Sequence, residues 1–333
     1  MTIMHDGGLH GGGLHAARHQ FPNAPTPWID LSTGINPVPY PVALDPRAYV
    51  RLPEPEDVAC LEHIAARAYG ADPATVVAAP GTQILISLLP RIIPTPRMAV
   101  LGPTYAEHAA AWAATGTAVT AITSLDARPP GGLALCNPNN PDGRRTPAAE
   151  LAALAHDLQG PLVVDEAFAD LEPPGLSLAA HPPANAVLLR SFGKTYGLAG
   201  LRLGFAIAPP ATAAAIRSAL GPWPVSGPAT VVGAAALADT AWLHTARTRL
   251  VADAARLDAL LTAAGLTIIG GTLLFRLAQA PGAASLFDRL ARAGILTRPF
   301  PAHPTWLRFG IPAPQDWPRL TEVLAPAARS PTP

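Results

Sequence analysis

The chain has 333 residues with 23 basic and 23 acidic side chains, so its formal charge at pH 7 is zero. Only 14% of the residues are charged, which excludes a broad basic field for nucleic acid and a polybasic patch for a membrane surface. A hydrophobic content of 49% is ample for a large core, while Cys60 and Cys136 are too few for a disulfide framework, and no long uninterrupted apolar stretch reads as a membrane span. These totals suggest a soluble, cytoplasmic protein.

One count stands apart: the basic residues are 22 Arg and a single Lys, Lys194. Arg serves wherever a solvated cation is enough, but it cannot be deprotonated. A lone Lys is therefore a candidate for a position that needs a titratable amine.

Residues 1 to 27 are rich in Gly, His and Pro and carry no sustained period, which predicts an extended arm lying on the rest of the protein. Its His5, His10, His15 and His19 fix no ligand geometry, so no metal site is expected. From about residue 56 the pattern alternates. Helices are predicted over 56–70, 81–92, 106–116 and 146–158, and short apolar strands over 75–79, 98–102, 118–122, 133–137, 161–168, 186–192 and 201–208. Strands interleaved with helices imply an α/β domain whose mostly parallel sheet is covered by helices on both faces. A long helix over 242–265 then leads into strands near 267–277, a helix at 283–293, strands at 295–300 and 305–311, and a final helix. The expected organisation is an N-terminal segment, 1–36, a large domain, 37–215, and a smaller C-terminal α+β domain, 216–333.

In such a sheet, ligands bind beyond the carboxyl ends of the strands. The residues there are unusually polar. Gly81, Thr82 and Gln83 follow a strand and open a helix, where backbone N–H groups could cradle a phosphate. In SFGKTYGLAGLR, Ser191, Lys194 and Arg202 put a hydroxyl, an amine and a guanidinium on one connection. GKT at 193–195 looks like the end of a Walker A loop, but that motif needs Gly where this chain has Leu188. Asp165 ends the strand PLVVD, where a carboxylate could hold a metal, orient a His, cap a turn, or pair with a protonated ring nitrogen. The last option gains weight from the nearby Lys, because it is what pyridoxal phosphate chemistry asks of a protein. Asn140, in NPNNPDG, could donate to a phenolic oxygen and Tyr105 could cover a ring face.

Taken in order, PGTQ, PTYAEH, NPNNPDG, VVDEAF and SFGKTYGLAGLRLGF resemble the motifs of the fold-type I pyridoxal phosphate enzymes, the aspartate aminotransferase superfamily, over about residues 30 to 310. The resemblance implies a homodimer that binds pyridoxal 5'-phosphate. It makes Lys194 the lysine that carries the cofactor, Asp165 the partner of its ring nitrogen, Asn140 that of its phenolic oxygen and Tyr105 the stacking aromatic. Ser191, Arg202 and the Gly81–Thr82–Gln83 turn correspond to the phosphate cup, and Arg308 to the receptor of the substrate carboxylate.

Within the superfamily the chain is similar to the branch of histidinol-phosphate aminotransferases and L-threonine-O-3-phosphate decarboxylases. HGGG at 10–13 and WIDLSTGINPVPYP favour the decarboxylases, which release carbon dioxide from L-threonine O-3-phosphate to give (R)-1-aminopropan-2-yl phosphate for cobalamin biosynthesis. The implied partner is thus a small phosphorylated amino acid, with His10, Asn36, Asn140, Arg298 and Arg308 as its candidate binding residues. The alternatives are an aminotransferase such as the histidinol-phosphate enzyme and a non-catalytic fold relative. Three positions depart from the family pattern: Phe168 replaces a Tyr, Leu52-Pro53 stands where a neighbouring subunit's Tyr-Pro pair is usual, and Gly34 replaces an Asn.

Overall fold

A computed structural model describes residues 11–126, 129–173 and 175–325, which group into two compact units. In chain order its elements begin with α1 (Leu14–Gln20), β1 (Ile29–Asp30), α2 (Arg47–Val50), α3 (Pro55–Tyr69), β2 (Val76–Ala79), α4 (Thr82–Ile92), β3 (Arg97–Leu101), α5 (Ala106–Ala113) and β4 (Ala118–Ile122). There follow β5 (Gly132–Cys136), α6 (Ala148–Asp157), β6 (Leu162–Asp165), β7 (Ala186–Ser191), α7 (Phe192–Thr195), β8 (Gly204–Ile207), α8 (Pro210–Leu220) and α9 (Gly227–Ala238). Last come α10 (Thr240–Ala263), β9 (Thr267–Thr272), β10 (Phe275–Gln279), α11 (Ala283–Arg292), β11 (Ile295–Leu296), β12 (Arg298–Pro299), β13 (Trp306–Gly310) and α12 (Trp317–Leu324).

The larger unit, residues 39–245, is built on a seven-stranded sheet of order β2-β8-β7-β6-β5-β3-β4. All neighbours pair parallel except β8, which runs antiparallel to both β2 and β7. The central strands are apolar until their carboxyl ends because both faces are covered. Val76, Ala78, Leu162, Val164, Ala186 and Leu188 pack with residues of α3, α6 and α9. Val77, Ala79, Val163, Val187 and Leu189 pack with α4, α5 and α8. The carboxyl ends of β2, β3, β5, β6 and β7, together with the start of β8, lie along one edge. The smaller unit, residues 11–38 with 246–325, carries a four-stranded antiparallel sheet of order β12-β13-β10-β9, and β1 pairs parallel with β11.

Three expectations change. The arm is not extended throughout, because Leu14–Gln20, rich in helix formers, closes into α1 and buries Ala17. The helices α8 and α9 are absent from the sequence reading, since Pro and Gly at their ends and a nearly all-apolar α9 hide the helical period. The larger unit therefore extends to Thr245 rather than to 215, and the N-terminal segment groups with the C-terminal residues instead of standing alone.

Period two sends Glu166 and Arg190 to the sheet face opposite Asp165 and Ser191. There Arg190, fully enclosed, donates to Glu166 at 2.7 Å, pairs with Asp170, and lies 4.4 Å from the centre of the Tyr69 ring. This cluster ties the end of β6 to the end of β7. Arg190→Met leaves two buried carboxylates uncompensated and is expected to lower the unfolding free energy in urea by about 3–5 kcal/mol.

Candidate active site

Alternation places Asp165 on the α4–α5 face of the sheet, with only 5% of its surface exposed. A bare carboxylate there would cost several kcal/mol. It is met by His108 of α5, whose Nε2 lies 3.0 Å from Oδ2, and by the Ala167 N–H, which donates to Oδ1 at 3.0 Å. Burial by itself depresses the His108 imidazolium, but the hydrogen bond to Asp165, joined by the adjacent Cys136, outweighs it and pushes His108 up to about 10. The geometry thus favours a protonated imidazole beside the carboxylate. Each Asp165 oxygen keeps a lone pair for a further donor, so the carboxylate suits a cationic ring nitrogen. His108, Cys136 and Asp165 each offer one atom of metal-ligand type, all within 4.8 Å, but the His108 Nε2 is committed to Asp165.

His108 was not singled out from the sequence. Its signal is spacing: it follows Tyr105 by three residues at the start of a helix, so both rings share one side, with centroids 6.2 Å apart. The Tyr105 hydroxyl donates to Gln83 Oε1 at 3.0 Å, and Gln83 Nε2 donates to Glu107 at 2.9 Å, fixing the tyrosine ring from the first turn of α4.

The NPNNPDG loop divides its asparagines by role. Asn137 is buried and exchanges hydrogen bonds with the Thr146 backbone at 2.9 Å each way. Asn139, also buried, donates to Pro103 O and Asp142 and accepts from Thr104. With both neighbours holding the loop, Asn140 is left half-buried at the carboxyl end of β5. The register then sets Cys136 beside Asp165, and Asp165 beside Leu189 on β7. Lys194 sits in the short helix α7 that β7 feeds, half-buried, with Nζ 5.9 Å from the centre of the Phe168 ring.

Gly81, Thr82, Ser191 and Arg202 converge through β8. Ser191 pairs with Gly204, which also pairs with Ala79. A side chain at Gly204 would press on the Gly81–Thr82 backbone at 2.9 Å, so its absence lets α4 begin against the sheet end. Gly81 takes φ +88°, and a Cβ there would lie 2.7 Å from the Arg202 guanidinium. Arg202 itself adopts a left-handed conformation, φ 56°, one of two non-glycine residues to do so among those described. That strain costs about 1–2 kcal/mol and turns the guanidinium toward the open first turn of α4, where Gly81 supplies no capping side chain. Uncapped N–H groups, a guanidinium and the Ser191 hydroxyl form an anion cradle that fits a phosphate.

The remaining candidates lie in the smaller unit. Arg308 is 4% exposed, its Nη2 donates to Ser32 O at 2.7 Å, and it stands directly opposite Arg298 across the β12–β13 pair. Burial and then the Arg298 charge pull Arg308 down to about 9, against the attraction of Asp30. Asn36 is buried, and its side-chain oxygen accepts from Arg249 and from Val38 N, so that oxygen is committed to the fold. His10 lies outside the described residues.

The family model for class I and II aminotransferases matches residues 26–324. The chain belongs to the class I and II aminotransferase family. Among curated members, the threonine-phosphate decarboxylase of a Sinorhizobium species is 44% identical, over 95% of this chain and 97% of that one. The threonine-phosphate decarboxylase of Pseudomonas aeruginosa is 42% identical, over 95% and 96%. The histidinol-phosphate aminotransferase of Sinorhizobium meliloti, solved in complex with pyridoxal-5'-phosphate, shares the fold with a TM-score of 0.78 at 21% identity, over 97% of this chain and 98% of that one.

The His108–Asp165 pair carries a pH signature. His108 has a folded pKa near 10 against 6.5 for the free side chain, so its stabilisation is complete below about pH 6.5 and vanishes as pH rises through 10. The stability gap between wild type and His108→Gln is expected to narrow steadily over that window, as read from urea midpoints at successive pH values.

Proposed function

We propose that this chain is a pyridoxal phosphate-dependent carboxy-lyase that converts L-threonine O-3-phosphate to (R)-1-aminopropan-2-yl phosphate and carbon dioxide, a step of cobalamin biosynthesis. The observation that carries the reading is the identity of 44% and 42% to two threonine-phosphate decarboxylases along nearly the whole chain, with Lys194, Asp165, Asn140 and Tyr105 at the motif positions that the resemblance assigns to the cofactor. The substrate class agrees with the charges. Threonine phosphate brings a carboxylate and a phosphate, and the smaller unit sets Arg298 and Arg308 directly opposite each other across the β12–β13 pair, two guanidinium groups suited to such anions.

In this reading Gly81, Thr82, Ser191 and Arg202 hold the cofactor phosphate, and Gln83 steadies Tyr105 against the ring. Asp165, backed by His108, keeps the ring nitrogen protonated, and Asn140 donates to the phenolic oxygen. When bound, the cofactor supplies an electron sink for the pair left on the α-carbon as the bond to the carboxylate breaks. Lys194 is the amine that anchors the cofactor and then holds the proton returned to that carbon. Arg298 and Arg308, with Asn36 and His10, are assigned to the substrate's anions. Phe168 offers an apolar neighbour where a hydroxyl is common in the family, so the phenolic oxygen has one donor fewer.

We also infer a homodimer. Tyr49, Val50, Leu52 and Trp223 expose apolar side chains, three of them lining an open cavity of about 730 Å³ in the larger unit, a surface that a second copy would cover. Two free cysteines support a cytoplasmic setting, and no helix among the described residues is long and apolar enough to cross a membrane. Sedimentation of wild type as a dimer and of Leu52→Glu as a monomer is the expected result.

The reaction is tested by incubating the loaded protein with L-threonine O-3-phosphate and following carbon dioxide, beside glutamate formation from histidinol phosphate with 2-oxoglutarate as reporter of the aminotransferase alternative. Carbon dioxide release is expected, falling at least about 10³-fold in Lys194→Ala. Transamination without decarboxylation rules the assignment out.

A further inference from the structure

Ser32 is a node that the chemistry above leaves unused. It is 2% exposed and has three partners. Its N–H and hydroxyl both donate to Asp30 Oδ1, at 2.9 and 2.6 Å. Its hydroxyl oxygen accepts from the Gly12 N–H of the arm at 2.7 Å. Its carbonyl accepts from Arg308 Nη2 at 2.7 Å.

Every part of this chain is anchored. Asp30 belongs to β1, paired with β11, and Leu31 both donates to Leu296 O and accepts from Gly310 N, at 2.7 Å each. Gly310 is two residues from Arg308 on β13, and a Cβ there would lie 3.2 Å from the Leu31 carbonyl oxygen. The Ser32 carbonyl is thus set at a fixed height beside Arg308. Tying one nitrogen of a planar guanidinium sets the plane of the others, and the Phe275 ring, 5.0 Å from the guanidinium carbon, gives that plane a floor.

The arm is read at the same carbonyl. A Cβ on Gly11 would drive into it, with the carbonyl carbon only 2.9 Å away, and Gly12 takes φ +89° to bring its N–H onto the hydroxyl. A Cβ on Gly13 would meet nothing within 4 Å. The requirement for bare backbone therefore stops where contact with Ser32 stops, which flexibility alone would not do.

We propose that Ser32 is the positioning residue of the Arg308 anion receptor, and that seating of the Gly11–Gly12 backbone on Ser32 makes that receptor competent for the substrate carboxylate. The inference rests on the reading of Arg308 as that receptor. With the arm seated, Asp30, the Gly12 N–H and Arg308 hold Ser32 from three sides. With the arm lifted, the hydroxyl loses its donor and the carbonyl loses the backbone packed against it, so Arg308 samples other orientations and binds a planar carboxylate less well.

The test is steady-state kinetics of carbon dioxide release from L-threonine O-3-phosphate by the full-length, cofactor-loaded protein. Gly11→Ala and Ser32→Ala are expected to raise KM about 10-fold or more while kcat stays within about 3-fold, since they weaken ground-state and transition-state binding alike. Gly13→Ala, the same chemical change two residues away, is expected to match wild type in both. Melting temperatures of all variants near that of wild type separate positioning from loss of fold, and a KM change in Gly13→Ala equal to that in Gly11→Ala overturns the proposal. An unchanged KM in Gly11→Ala and Ser32→Ala with a raised KM in Arg308→Ala also overturns it but keeps Arg308 as receptor. An unchanged KM in Arg308→Ala removes the receptor and the proposal together. Absence of carbon dioxide release from wild type removes the decarboxylase reading itself.

Discussion

A carboxylate buried at the end of a β-strand is unstable unless a positive charge accompanies it, and that constraint at Asp165 organises the larger unit. His108 supplies the charge, which requires α5 to lie on the Asp165 face. That in turn brings Tyr105 to the same side, and the Tyr105 hydroxyl draws in Gln83 from the start of α4. The opposite face solves the matching problem for Glu166 and Asp170 with Arg190. Two adjacent acidic residues thus serve different ends because the strand alternates. Asp165 faces His108 of α5, while Glu166 locks the end of β6 to the end of β7, the strand that feeds Lys194.

The cradle at the start of α4 is built with backbone strain rather than with charge density. One guanidinium, on a residue in the left-handed region, stands beside a helix start left without a cap. A glycine at 202 would relieve the strain and lose the cation. A side chain at 81 would occupy the space the guanidinium crosses. The two positions are therefore coupled, and neither choice makes sense without the other.

Much of this was legible in the sequence, and the limits have physical causes. The apolar runs set the strands to within a few residues because both sheet faces are buried, and the polar residues after each run fall at the carboxyl ends of those strands. Lys194 stood out through composition alone. The reversed direction of β8 and the pairing of Gly204 with both Ser191 and Ala79 are matters of register between distant segments, which no local period encodes. His108 passed as a helix residue, since its partner lies 57 positions away. The grouping of residues 11–38 with the C-terminal part escaped notice for the same reason, while the helical turn in the arm was hidden among flanking Gly and Pro and the bonds from Ser32 to Asp30 depend on a side-chain rotamer that no pattern encodes.

The cross-strand arginines pose the sharpest energetic question. Two like charges directly opposite on an antiparallel pair repel, one of them is buried, and burial together with the Arg298 charge pulls Arg308 down. Asp30 attracts Arg308 while its Oδ1 accepts from the Ser32 N–H and hydroxyl, so one carboxylate serves both the backbone turn and the arginine. An anion bound at the two guanidinium groups eases their repulsion, so ligand binding and the pairing of β12 with β13 are coupled.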